Sequence, residues 1–428
     1  MKLAVTILEE TPERAMEVIR ALDADHDAIE LRADAFGGRN VDWRAVRAAT
    51  AKPIIATNRG GMHVDIEAAL AAGIDLVDVE WGSAIPQEHR GRIILSHHDY
   101  DGMPEVEELV RDMRAAGCAH VKLAVTPRDF AGNARLLALL RKDSDLTVIG
   151  MGGRGLYSRI LGPFFGSALQ FVSTDHAHSA APGQLALGRA LAIYGPDRDA
   201  LRAGRIFAIA GNPAAQTGSP LIHNAIFRER GIAAAYAIFE SDSFLDIAEP
   251  FARGERFAPS GLSVTAPFKE EALAFARRMG AEIAPNALEA GSANTLVRID
   301  GRIAADNTDV DGFAALIART SARSAAVVGA GGTARAALVA LRRAGMTSTV
   351  FNRTAGKLGA QPLDALSSWR GDLVINTLPG NVAVALPGTG TIMEAAYGGG
   401  ESRATFTGLD LLRAQAVRQS ELFLEACR

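Results

Sequence analysis

Over residues 1–195 the chain alternates short apolar, β-branched runs with stretches whose apolar positions recur at helical spacing. The runs predict strands at Leu3–Leu8, Ala28–Leu31, Pro53–Thr57, Leu76–Glu80, Arg92–Ser96, His120–Val125, Leu146–Gly150 and Leu169–Ser173. Between them Glu13–Leu22, Ile66–Ala72, Val106–Ala116 and Asn133–Arg141 read as amphipathic helices. Eight βα units in this span predict a small α/β fold, a (β/α)8 TIM barrel, with a doubly wound sheet as the alternative. The C-terminal strand ends of such a barrel form one concave mouth. There the sequence sets Glu30, Arg32 and Asp34, then Arg59, Glu80, the run His97-His98-Asp99, and Lys122.

The segment Tyr194–Gly204, rich in Gly, Pro and charge, reads as a linker. A second α/β pattern follows, with strands at Ile206–Ala210, Ala235–Phe239 and Gly261–Val264, a helix near Pro220–Arg230, and another from about Phe313. Beyond it lies the most informative stretch, Ala325–Thr354. A strand (Ala325–Val328) enters Gly329-Ala330-Gly331-Gly332-Thr333-Ala334, a helix (Arg335–Ala344) follows, and a second strand (Ser348–Phe351) ends in Asn352-Arg353-Thr354. Gly329 permits a tight turn, Gly331 lets the backbone approach a pyrophosphate, and Ala334 lets the helix pack close to the strand. Where an NAD-binding unit carries Asp or Glu, this one carries Arg353, which suits a 2′-phosphate and predicts NADP. The expected parts are a barrel (1–195), a substrate-binding lobe (205–312) and a Rossmann-like nucleotide lobe (313–428). A C-terminal helix, Leu409–Ala426, would return to the substrate lobe or mediate association.

With 428 residues, 48% hydrophobic and 22% charged, the chain has material for two or three globular domains. A net charge of −4 gives no basic footprint for nucleic acid or anionic lipid. The two cysteines, Cys118 and Cys427, suggest neither a disulfide framework nor a metal ligand set. No apolar stretch is long enough to cross a membrane. Small-molecule partners and a cytoplasmic location are therefore expected, with no metal.

Lys122 sits inside an apolar run, HVKLAVT, where an ammonium is costly to bury. A desolvated lysine is a nucleophile suited to forming an imine with a ketone, His98 at the neighbouring strand end is a natural general acid-base, and Arg59 and Arg159 could hold an anionic substrate. Equally, Lys122 could reach the rim and His98 could cap a strand. The motifs ELRAD (Glu30–Asp34), SHHDY (Ser96–Tyr100), HVKLAVTP around Lys122, GLYSRILGPFFGSAL (Gly155–Leu169) and SAAPGQL (Ser179–Leu185) resemble, in this order, the type I 3-dehydroquinate dehydratases. That resemblance implies Lys122 as the imine lysine, His98 as the acid-base, and Glu30, Arg32, Arg59, Arg159 and Gln184 as substrate contacts. Two departures stand out. The family's histidine-orienting glutamate, shortly after the arginine, is replaced by Gly60-Gly61-Met62-His63, leaving Glu80 as the candidate substitute; the lid serine is Ala180, with Ser179 one place off.

In the second half, VTAPFK supplies Lys269, GSANTL supplies Asn294 and Thr295, and DNTDVDGF supplies Asn307, Thr308 and Asp309. Ketone reduction needs a hydride donor, a proton donor and polar groups that hold the substrate, although Asn-Thr-Asp would also serve as a plain N-cap. Together with GNPAAQTGSPLIHN (Gly211–Asn224), GAGGTARAA, NRT and NTLPG (Asn376–Gly380), these clusters resemble shikimate dehydrogenase. The resemblance implies Lys269 and Asp309 as the catalytic pair and Thr217, Ser219, Thr265, Asn294 and Gln415 as substrate contacts. Gly329, Gly331, Gly332, Asn352, Arg353 and Thr354 would hold NADP. Departures are Gly218 in place of a common lysine, a short segment at Tyr397-Gly398-Gly399-Gly400, and Leu411-Leu412 before the late glutamine. Joined, the two resemblances imply a bifunctional shikimate-pathway enzyme. A quinate or shikimate dehydrogenase, or a non-catalytic sensor of the same metabolites, stays open.

Overall fold

The computed structural model of the chain describes residues 1–22, 25–60, 64–140, 145–354, 356–379, 382, 384–387, 390–396 and 404–427. They fall into two compact units, Met1–Gly204 with Phe227–Glu240, and Arg205–Ile226 with Ser241–Arg428.

The first unit is built on parallel strands β1 (Lys2–Ile7), β2 (Ala28–Arg32), β3 (Ile54–Thr57), β4 (Leu76–Glu80), β5 (Ile93–Asp99), β6 (His120–Val125), β7 (Leu146–Gly150) and β8 (Leu169–Ser173). Their order is β7-β6-β5-β4-β3-β2-β1-β8, a nearly closed eight-stranded barrel. At the seam, the Ala168 N–H donates to the Leu146 carbonyl (3.0 Å) and the Leu169 N–H to Thr147 Oγ1 (3.0 Å).

The barrel interior holds Ala4, Ala28, Ile55, Ile94, Ala124, Ile149, Leu169 and Phe171 as an apolar plug. Because strand side chains alternate faces, residues two positions from these face the same way. That parity sets Thr6, Glu30, Thr57, Ser96 and Lys122 on the inner face, and continues along β5 to His98. Expected bounds hold for β4, β6, β7 and β8; β5 runs past Ser96 to Asp99, carrying both histidines within the strand. The helix expected at Asn133–Arg141 is instead Phe130–Ala138, because the Asp129 carboxylate caps it, accepting from the Gly132 N–H at 2.8 Å. Arg141 lies outside the described residues. The expected linker is tied to the barrel, with Arg198 2.9 Å from the Asp27 carboxylate.

Strand β9 (Arg205–Gly211) opens the second unit, whereas β10 (Ala234–Glu240) belongs to the first, its Phe239 ring 5.7 Å from that of Tyr157. A mixed sheet in the second unit runs β9-β11-β13-β14-β12, with β11 (Gly261–Val264), β12 (Glu282–Ile283), β13 (Thr295–Ile299) and β14 (Arg302–Asp306). A second sheet is wholly parallel, in the order β17-β16-β15-β18-β19: β15 (Ser324–Val328), β16 (Thr347–Asn352), β17 (Gln361–Pro362), β18 (Leu373–Asn376) and β19 (Thr391–Glu394). This is the Rossmann-type arrangement. Strand order reverses at β15, and the crevice beyond its carboxyl end is where such sheets bind ligands.

The helix after β15 begins at Gly332, three residues before the expected Arg335, because Gly331 takes the N-cap position. The C-terminal helix (Gly408–Glu425) starts at a capping box formed by Thr407 and Asp410. It packs on the helix Asp309–Ile317, and its Phe423 ring lies 4.7 Å from Phe207 of β9. Among the described residues no helix is long and apolar enough to cross a membrane.

Candidate active sites

In the barrel mouth a chain of charges runs inward from β4. Lys122 Nζ lies 3.0 Å from Asp78 Oδ2 and 3.4 Å from Glu30 Oε1, with the Phe171 ring 3.8 Å beneath it. The lysine is buried, and its burial is compensated by these two carboxylates; the bare, desolvated ammonium read from the apolar run is corrected by Asp78, which the sequence pattern missed. Burial would raise the Asp78 carboxyl, but Arg59 (2.9 Å), Lys122, His98 and a hydrogen bond from Ser96 outweigh it and hold it well below the usual carboxylate range. Glu30 is likewise held low against burial, chiefly by Lys122. It accepts from Thr6 Oγ1 at 2.7 Å and Thr57 Oγ1 at 3.1 Å.

His98 is fixed from two sides. Glu80 Oε2 lies 2.8 Å from Nδ1, and Glu80 Oε1 accepts from the His98 backbone N–H at 2.9 Å. A carboxylate only accepts, so Nδ1 carries the hydrogen. Arg59 Nη2, which only donates, stands 3.3 Å from Nε2 and leaves that nitrogen as the base. Burial pulls the imidazole below its ordinary range and, with Arg59 and Lys122 pushing the same way, outweighs the Glu80 hydrogen bond. His97 is peripheral, 4.0 Å from Glu80.

The remaining expected contacts close the same pocket. Arg159 is almost wholly buried, pulled down to about 10 by that burial, and donates to the Pro182 carbonyl at 3.2 Å. Gln184 donates to Thr6 Oγ1 (3.1 Å) and accepts from the Ala180 N–H (2.7 Å), while Arg32 is held in a paired hydrogen bond by Asp34. Ala180 lines the pocket, whereas Ser179 turns to the Ala181 carbonyl. Of the segment after Arg59, Gly61, Met62 and His63 lie outside the described residues.

The second unit holds a cavity of about 650 Å³ lined by Thr217, Ser219, Thr265, Lys269, Asn294, Asp309 and Gln415, together with Thr333 and Gln419. Lys269 Nζ is 2.5 Å from Asp309 Oδ2. Asn294 Nδ2 donates to the other Asp309 oxygen at 2.9 Å and to Thr308 Oγ1 at 3.1 Å. Thr308 does stand at an N-cap position, but its hydroxyl makes no cap; it donates to Gln415 Oε1 at 2.8 Å. Gln419, missed in the sequence, bridges Ser263 and Thr295 one helical turn beyond Gln415. Thr217 and Ser219 hydroxyls meet at 3.1 Å. At Gly218 a Cβ would lie 3.2 Å from Leu412 Cδ2, so the side chain missing there leaves room for the leucine.

The glycine turn sits at the carboxyl end of β15. Gly329 adopts φ +110, and a Cβ there would lie 2.4 Å from Thr377 Oγ1. A Cβ on Gly331 would meet nothing within 4 Å, and the first turn of the following helix has no side-chain cap, so its N–H groups are open to an anion. Arg353 and Thr354 are exposed beside Asn352 at the end of β16, and Arg353 has no carboxylate partner among the described residues.

Residues 3–198 match the family model of type I 3-dehydroquinase, and residues 209–296 that of the shikimate dehydrogenase substrate binding domain. The chain joins a type I 3-dehydroquinase domain to a shikimate dehydrogenase substrate binding domain. It is 28% identical over 389 residues to the chloroplastic bifunctional 3-dehydroquinate dehydratase/shikimate dehydrogenase of Arabidopsis thaliana, covering 79% of this chain and 62% of that protein. To the pentafunctional AROM polypeptide of Mycosarcoma maydis it is 31% identical over 415 residues, 82% of this chain and 23% of the other. Among solved structures it is similar to the dehydroquinate dehydratase and shikimate dehydrogenase of S. pombe AroM (22% identity, TM-score 0.39, all of this chain and 98% of that one). It also matches Mycobacterium tuberculosis shikimate dehydrogenase (31%, TM-score 0.42, 51% and 93%). The chain thus spans less than two thirds of those first two relatives. In its 3-dehydroquinase domain the carboxylate beside the histidine comes from β4, as Glu80, rather than from the segment after Arg59.

Proposed function

We propose that the chain is a bifunctional enzyme that dehydrates 3-dehydroquinate to 3-dehydroshikimate and then reduces that ketone to shikimate. The observation that carries the reading is the pairing, in a 3-dehydroquinase domain, of a buried Lys122 with a neutral His98 whose Nε2 faces the same pocket. Three functional parts are proposed, the barrel (1–195), a substrate lobe (205–312) and a nucleotide lobe (313–428).

In the barrel, the Lys122 amine attacks the substrate ketone and water leaves, giving an imine whose positive charge Asp78 and Glu30 stabilise. That charge makes the C2 proton removable. His98 takes it at Nε2, then returns it to the departing C1 hydroxyl, which leaves as water. Hydrolysis of the imine frees Lys122. Arg32, Arg59, Arg159 and Gln184 hold the carboxylate and hydroxyls, and Glu30 takes part through its contact with Lys122.

In the second unit, Lys269 and Asp309 hold and deliver the proton at the substrate oxygen, and Thr217, Ser219, Thr265, Asn294 and Gln415 hold hydroxyls and carboxylate. The open helix N-terminus, the glycine turn and Arg353, exposed and without a carboxylate partner among the described residues, fit NADP, with Gly329, Gly331 and Gly332 at the pyrophosphate and Asn352, Arg353 and Thr354 at the 2′-phosphate. When bound, that group supplies the hydride. Small-molecule substrates are the proposed partners, and the two free cysteines fit a reducing, cytoplasmic compartment. Each half is tested alone: enone absorbance from 3-dehydroquinate without nucleotide, and NADPH formation from shikimate and NADP. Absence of the first with the chain folded overturns the dehydratase reading; absence of the second overturns the dehydrogenase reading.

A further inference from the structure

The catalytic lysine of the second unit is built onto the nucleotide turn. Lys269 Nζ lies 3.0 Å from Thr333 Oγ1, and Thr333 is the second residue of the helix Gly332–Arg343. The stem of Lys269 runs along the preceding residue as well. A Cβ on Gly332 would lie 3.2 Å from Lys269 Cβ and 3.4 Å from its Cδ, so Gly332 gives the close approach that lets the ammonium reach Thr333. An ammonium has three N–H donors. One goes to Asp309 and one to Thr333, and a third remains for a substrate oxygen.

We propose that Thr333 is a positioning residue that couples dinucleotide occupancy to the placement of Lys269, so that nucleotide and substrate bind cooperatively. The proposal rests on the dehydrogenase reading above. Because Thr333 Oγ1 accepts from Lys269, its own O–H is left to donate. The uncapped N–H groups of the same helical turn would receive a pyrophosphate oxygen, and the Thr333 hydroxyl lies on that turn. A hydroxyl that donates to an anion becomes a better acceptor, through the mutual polarisation of linked hydrogen bonds. Nucleotide binding therefore tightens the Thr333–Lys269 contact and fixes the ammonium where the substrate oxygen must meet it. By linkage, bound substrate tightens the nucleotide by the same factor.

The test uses the full chain and the unreactive pair of NADPH with shikimate, both already reduced. Shikimate affinity is measured by calorimetry with and without saturating NADPH, in wild type, Thr333→Val, Thr333→Ala and Thr333→Ser. The expected result is at least about a five-fold gain in shikimate affinity from NADPH in wild type and Thr333→Ser, falling below about two-fold in Thr333→Val and Thr333→Ala. A structural role alone would weaken each ligand without removing their coupling, and Thr333→Ser would not restore it selectively. Wild-type coupling retained in either hydroxyl-free variant, or absent from wild type, overturns the proposal while leaving the dehydrogenase reading standing. A folded wild-type chain that binds neither ligand and forms no NADPH from shikimate and NADP overturns the dehydrogenase reading itself, and the proposal with it.

Discussion

Glu80 and His98 form a dyad across neighbouring strands, Oε2 to Nδ1 at 2.8 Å, with the second Glu80 oxygen held by the His98 backbone N–H. The double attachment fixes both ring orientation and tautomer. Glu80→Gln puts an amide donor against Nδ1 and favours the wrong tautomer. We predict a fall of about 10²–10⁴-fold in kcat for dehydration, with KM changing far less, measured by enone formation.

The pH profile follows from the same dyad. His98 lies below the ordinary imidazole value because burial and the Arg59 and Lys122 cations outweigh Glu80. The base form is neutral, so activity rises as pH climbs through this lowered value, and the acid limb of kcat/KM falls below about 6.5. Removing the Glu80 charge lowers the histidine further. In Glu80→Gln the residual activity therefore has its acid limb at still lower pH.

Asp78 is the keystone of the buried charges, and its loss is felt as stability. Asp78→Asn leaves Lys122 and Arg59 short of a partner and is predicted to cost about 3–5 kcal/mol, read from urea unfolding. The native carboxyl is held below its unfolded value, so its contribution is present above about pH 4 and is lost as pH falls further. Asp78→Asn should show a shallower decline of stability below about pH 4 than wild type.

Much of this was legible before the fold. Barrel strands β4, β6, β7 and β8 were readable to the residue because apolar residues make up more than half of each, in a short run. Asp78 stayed hidden because a strand buried on both faces shows no clean alternation, so nothing in Leu-Val-Asp-Val-Glu says which residues point inward. The available signal was spacing, since Asp78 lies two residues before Glu80 on one strand. Thr333 carries no readable role in the sequence of the glycine turn, because its partner Lys269 is distant in sequence and joins it only through tertiary packing. Gln419 could have been found as the residue one turn after Gln415 on the same helix. The short strands β12 and β17, two residues each, carry no readable period.

Lys269 and Asp309 meet at 2.5 Å and Asn294 secures the free carboxylate oxygen. Lys269→Met and Asp309→Asn are each predicted to lower kcat for shikimate oxidation by about 10²–10⁴-fold, while NADPH affinity measured by calorimetry shifts far less. Equal losses in both readouts would assign the pair to structure instead.

Arg353 stands exposed at the end of β16, without a carboxylate partner among the described residues. Arg353→Ala removes a charge-assisted hydrogen bond of about 1.5–3 kcal/mol and should weaken NADPH by about 10–100-fold while leaving NADH nearly unchanged. An unaltered NADPH affinity would move the 2′-phosphate site elsewhere.

A chain that carries both sites should perform both steps in succession. The most direct test supplies 3-dehydroquinate and NADPH together to the purified full chain and follows NADPH absorbance against time. The expected result is oxidation after a short lag, with one NADPH consumed for each 3-dehydroquinate and shikimate as the product. Lys122→Met is expected to abolish the oxidation but leave reduction of added 3-dehydroshikimate intact. A folded wild-type chain that leaves NADPH unchanged in this assay, with either substrate, contradicts the bifunctional reading.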